Sequence, residues 1–375
     1  MRKHNIVIFF IFIFAGVAAF LTSYLFMGID APNDANLQQG TITKQFGSSN
    51  AQTSNSDYEA DDNPALNKPV ALSARKAVAA ASGQSSGSVF YFEAGKGNLF
   101  EADTRTGKET PVLTLAPASF YTAVWAPSKD GFIYSSNNFQ PKLTYYDRAA
   151  RQSFPLNSSA RSAVFSPDSS QIAYFAETED GNGVYLAQPD GSVSKKIFST
   201  RFDSVNLSWP ASGFLTLKVR VESADLYDLL SLTTNGQLSK ILEKRANLSV
   251  AWSPKGNKAL FSESPNPNRY NLFYYNAANS FNYRLPLNTS SSNCAWSADE
   301  IHLACSVPAT QLSNSAEDIY VLNTLTKAKK LIYLSGNPVI RISEIFLSAD
   351  ESYLLFINKN DSLLYKLPLP DLGSI

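Results

Sequence analysis

The sequence predicts an all-β fold, a seven-bladed β-propeller with six blades as the alternative, preceded by one transmembrane helix and a disordered tether. Three observations predict it. An apolar run fills residues 6–28, a polar low-complexity stretch follows, and a hairpin motif built on tryptophan or another bulky apolar residue then returns six times at a blade-like period.

The run IVIFFIFIFAGVAAFLTSYLFMG carries no charge. At about 1.5 Å per residue it covers the roughly 30 Å hydrocarbon core as a helix. Arg2 and Lys3 precede it, Asp30 and Asp34 follow it, and the next cation is Lys44. That bias keeps the tail, residues 1–5, in the cytoplasm and sends the rest of the chain outside, to a periplasm or cell surface. The alternative is a cleaved signal peptide with Val17-Ala18-Ala19 as its small-residue site, but the run exceeds the roughly 7–15 residues of such a segment.

Residues 29–87 are rich in Asn, Ser, Gln, Ala, Asp and Thr and poor in large apolar side chains. Such a stretch buries too little surface to offset its ordering entropy, so it reads as a disordered linker with a reach of about 40 Å. Within it, Gly83-Gln84-Ser85-Ser86-Gly87 matches a hydrolase nucleophile elbow. That motif requires a strand before it, a helix after it and a downstream histidine base. Ser/Gly-rich chain and a following strand, SVFYFEA, make the match accidental.

The repeat is anchored at Trp125, Phe165, Trp209, Trp252, Trp296 and Leu347, with spacings of 40, 44, 43, 44 and 51 residues. A period near 43 is that of a propeller blade. In each copy an apolar strand ends at the anchor, a polar turn follows, and an aromatic-rich strand returns, as in AVFSPDSSQIAYFA. That is a hairpin. A third strand (LTYYD, VYLAQ, LFYYN, DIYVLN) and often a fourth complete a blade, with the anchor wedged between neighbouring sheets. Residues 88–113 add a seventh unit that lacks a recognisable first strand and anchor. Three strands follow Leu347, so the closing strand either comes from about residues 70–81 or is absent. The propeller therefore occupies 88–375.

Ser166, Pro167, Asp168, Ile172, Ala173 and Tyr174, with Asp318 to Leu322 (DIYVL), resemble the TolB-type, WD40-like propeller repeats of bacterial envelope proteins and of prolyl-oligopeptidase-like peptidases. The resemblance covers about residues 88–369 and implies the fold and an envelope setting. The chain departs from it twice. An anchor and tether stand where TolB-like proteins carry an N-terminal α/β domain, and no chain remains for a hydrolase domain.

Lys plus Arg and Asp plus Glu each number 32, and no basic run occurs, so nucleic-acid binding is not expected. Two histidines and two cysteines leave little for a histidine-based catalytic site or a Cys/His metal cluster, and no cofactor or metal is expected. Cys294 and Cys305 face each other across a hairpin. They form a disulfide in an oxidising compartment or pack as two reduced core residues. His302 alternates with Ile301 and Leu303 and reads as a solvated strand-face residue. Glu177, Glu179, Asp180 and Asn182 match no calcium-loop spacing and read as a hydrophilic loop.

In a propeller the loops joining strands two and three, and those joining one blade to the next, share one face around the channel mouth. Arg161, Arg201, Arg245 and Arg341 fall on that face and are candidates for a cationic mouth that accepts a carboxylate or acidic peptide. The alternative is four scattered solvated arginines. The expected function is therefore non-catalytic: a membrane-anchored scaffold binding a protein, peptide or glycan of the envelope at its mouth. A glycan-active or lactonase-like propeller enzyme is the alternative.

Overall fold

The computed structural model describes residues 68–375 apart from 116–119, 137–140, 180, 223–224, 267–268, 311–314 and 337–338. The apolar run 6–28, its flanking tail and the linker up to residue 67 lie outside them. Among the described residues no helix is long and apolar enough to cross a membrane, and the helical elements are two short 3-10 turns, Ser291–Asn293 and Leu372–Ser374.

Seven four-stranded antiparallel sheets form the propeller. Their first strands are Ala77–Ser82, Thr122–Trp125, Ala160–Phe165, Val205–Ala211, Ser249–Trp252, Cys294–Trp296 and Ile342–Leu347, and these are the inner strands that meet their neighbours. In six blades the strands follow chain order outward. The seventh takes its outermost strand from the other end of the chain, with Val70 opposite Lys366 and Ala71 opposite Tyr365. Closure thus uses the region suspected from sequence, and the propeller begins near residue 70, before the expected boundary at 88.

Each anchor packs against the blade that precedes its own. Trp125 joins Phe90 and Phe92 of the first blade, and Phe165 joins Ile133 of the second. Trp209 meets Ala173 and Phe175, Trp252 meets Leu229, Trp296 meets Leu260 and Tyr274, and Leu347 meets Ile319. Alternation along each second strand supplies both faces: Leu215, Leu217 and Val219 turn to the third blade, while Phe90 and Phe92 turn to the second.

The hairpin turns explain the S-P-D signature. Ser166 Oγ donates to Asp168 at 2.6 Å and accepts the Gln171 amide at 3.0 Å. Ser348 repeats this with Asp350 at 2.7 Å and the Tyr353 amide at 3.0 Å. The side chain replaces turn hydrogen bonds that the backbone cannot make.

The first blade has a first strand after all, Ala77–Ser82, but small alanines stand where other blades carry a large anchor. The Gly83–Gly87 run is the tight turn that follows it and leads into the strand Ser88–Glu93, with no helix. A Cβ on Gly83 would meet Ser88 Oγ at 1.9 Å, which accounts for glycine there. Ala74 and Arg75 fasten the closing segment to the outer strand of this blade, the Ala74 amide and Arg75 guanidinium donating to Glu109 at 3.0 and 2.6 Å.

His302 is buried, 7% exposed, contrary to its expected solvation. Its Nδ1 lies 2.6 Å from Asp299 Oδ2 and its Nε2 3.2 Å from Asn323 Nδ2. Burial pushes the Asp299 carboxyl up, but the amides of His302 and Ile301 and the imidazole outweigh it and bring the group down to about 2. Local turn chemistry, not strand alternation, decides where this ring sits.

Candidate functional site

The two faces of the ring follow from its topology. Turns joining strands one to two and three to four lie on one face. The loops joining two to three, and blade to blade, lie on the other, which is the mouth face.

On the mouth face a cleft of about 560 Å³ runs across the second, third and fourth blades. Tyr121 and Val124 contribute exposed apolar surface, at 49% and 41% exposure, where a core-facing residue would be covered. Ser135, Ser162 and Asn206 add polar groups, and Arg161 adds a cation. The cleft exists because Ser162 and Ala163 on the third inner strand, with Ser135 opposite, are too small to fill the space between blades. An apolar ring, a few hydroxyls and amides and one charge on a rigid scaffold suit recognition of an extended, mostly neutral segment.

The four arginines do not converge. Arg161 lines the cleft, and its Nε donates to Glu177 at 3.0 Å. Arg245, at the end of the fourth blade's outer strand, pairs with Glu263 of the fifth blade at 3.1 Å. Glu177 and Glu263 both lie at or just beyond the mouth end of a second strand, one repeat position apart. Arg201 is exposed in the connection to the fourth blade, and Arg341 is half-buried in the connection to the seventh. A mouth with four free cations is therefore not what the geometry provides.

Cys294 and Cys305 are cross-strand partners with Cα atoms 4.1 Å apart, and their sulfurs are bonded. In the 177–182 loop, Glu177 is taken by Arg161, Asn182 Nδ2 donates to Phe202 O at 2.9 Å, and Asp180 lies outside the described residues. Among the described residues no group of three or more His, Cys, Asp or Glu could hold a metal ion.

Tyr121, Val124 and Asn206 were not singled out as site residues from sequence. Tyr121 and Val124 precede Trp125 and read as ordinary strand residues, and Asn206 carries no site signal in the sequence.

No family model matches the chain, and no curated protein matches it. Solved structures do. An oligogalacturonate lyase from Vibrio parahaemolyticus is 10% identical over 83% of this chain and 96% of its own, with a TM-score of 0.61. An oligogalacturonate lyase in complex with manganese is 12% identical over 79% and 89%, with a TM-score of 0.58. TolB from Acinetobacter baumannii is 13% identical over 77% and 78%, with a TM-score of 0.42. At these identities the likeness is one of fold. It nevertheless corrects one expectation: enzymes are among the proteins that share this propeller, so the expected absence of catalysis is overturned as a conclusion from fold and composition.

Proposed function

We propose that this chain is a membrane-anchored, extracytoplasmic propeller whose mouth cleft binds a segment of an envelope protein, peptide or glycan. The observation that carries the reading is the cleft itself, in which Tyr121 and Val124 stay exposed beside Ser162, Asn206 and Arg161. The uncharged run 6–28 supports the anchor. The Cys294–Cys305 disulfide supports an oxidising compartment. The chain enters the ring at Val70 from the face opposite the mouth.

A second reading, glycan-directed chemistry in the same cleft, draws on the two oligogalacturonate lyases that share the fold. Photo-crosslinking in intact cells tests the binding reading. A photoreactive residue at Tyr121 or Val124 is expected to capture one defined partner, and the same residue at Val193, on the opposite face, is not. Equal capture from both faces overturns it. Release of unsaturated sugars from acidic oligosaccharides by the purified chain would select the second reading instead.

A further inference from the structure

We infer that the gap between the fourth and fifth blades is a subsite for a carboxylate group of the ligand in the mouth cleft, with Lys218 as its cation. The inference rests on the mouth-binding reading and deepens it.

In the fourth blade's second strand, Phe214–Glu222, one set of residues packs on the third blade. The alternate set, which includes Thr216 and Lys218, turns to the fifth. At the position of Lys218 the other blades carry Phe92, Ser135, Phe175, Ser262, Ser306 and Ile357. The lysine is the exception, and a polar pocket of about 160 Å³ lies beside it. Asn206, Ser208, Thr216 and Ser249 line that pocket, and Asn206 also lines the mouth cleft, so the two spaces adjoin.

Lys218 Nζ donates to Leu248 O at 3.1 Å and lies 5.2 Å from the centre of the Tyr227 ring. Among the described residues it has no carboxylate partner. The charges around it are committed elsewhere. Arg220 is held by Asp225 and Arg245 by Glu263, while Asp228 lies on the side facing the third blade and pairs with Lys240. Burial lowers the pKa of the Lys218 amine.

The other polar groups that line the pocket are hydroxyls and an amide, Ser208, Thr216, Ser249 and Asn206. A partly desolvated cation among such donors is complementary to a group that only accepts. One cation, two hydroxyl-lined walls and a space this small fit a carboxylate head.

The carboxylate could belong to a peptide or to an acidic sugar, and the experiment separates them. The purified full chain in detergent is titrated with N-acetyl-dialanine, with its C-terminal amide and with glucuronate, and binding is read by saturation-transfer NMR. At least one carboxylate is expected to bind, the amide is not, and Lys218→Met should weaken binding about ten-fold or more while Lys218→Arg retains part of it. Affinity should fall as pH rises through the lysine's lowered pKa. The carboxylate that binds identifies the source. Should Lys218→Met fail to fold, Thr216→Val with the same pH series serves in its place. Equal binding of acid and amide, no binding of either acid, or indifference to Lys218 overturns the inference. If crosslinking from Tyr121 persists in that case, the cleft reading stands and only the carboxylate subsite falls.

Discussion

The Glu344 carboxylate of the last blade accepts the backbone amide of Ala79 in the first at 2.9 Å, and that of Ala80 at 2.9 Å. Ala79 has a left-handed φ of 52°, and its carbonyl receives the Trp125 indole. One irregular point of the first inner strand is thus held from the seventh and second blades together. Ser82 Oγ adds a bond to Leu347 O at 2.6 Å.

Glu344→Ala should orphan two backbone donors and cost about 2 kcal/mol or more, read from urea unfolding. Burial holds the Glu344 carboxyl above its ordinary range despite the two amides. The native state then binds this proton more tightly than the unfolded chain. Its contribution to stability is largest below the ordinary glutamate range and is lost as pH rises through the raised native value. Glu344→Gln should flatten that part of the pH profile, and an unchanged profile would refute the assignment.

The four indoles make a paired test. Trp125 and Trp296 donate across the blade junction, whereas the Nε1 atoms of Trp209 and Trp252 are buried without a partner among the described residues. Trp→Phe should cost about 1 kcal/mol more at the first pair than at the second, because only there is a hydrogen bond lost. Trp→Ala at any of the four should cost about 3–5 kcal/mol through the cavity left between blades. Thermal melts of the variants check both.

Closure can be probed at Leu72, which is 4% exposed and packs with Leu355, Ile357 and Leu364 of the seventh blade. Leu72→Ala should cost about 2–4 kcal/mol. A shift no larger than that of a surface substitution would mean the ring does not depend on this segment.

Cys294 and Cys305 close a short loop, 11 positions apart. Replacing both with alanine should cost up to about 3 kcal/mol by chain entropy, leaving the fold intact by circular dichroism. Without reductant, neither cysteine should take up iodoacetamide. Alkylation of the native chain would show that the bond is not formed.

Much of the ring was legible because its anchors recur in a strict order, and each anchor does lie between its own blade and the one before it. The two ends of the ring were not. Val70–Ala71 is too short to show alternation, and AVAAAS offers alanines where the pattern requires a bulky residue. In that blade Glu344 and Trp125 supply from outside the fixation that an anchor supplies elsewhere. Arg161 and Arg245 were legible as mouth residues, but the glutamates that bind them come from other strands. LTLKV reads as an ordinary half-solvated strand, and only the curvature of the ring turns Thr216 and Lys218 toward another blade.

The antiparallel pairing of Val70–Ala71 with the strand ending at Pro368 also sets how the molecule carries tension. A pull from the N-terminal side loads those two residues along the strand axis. The load is borne in shear by this short pairing and by the bonds of Leu72 and Ser73 to Leu364, so the closing strand is expected to leave the seventh blade before the other six sheets yield.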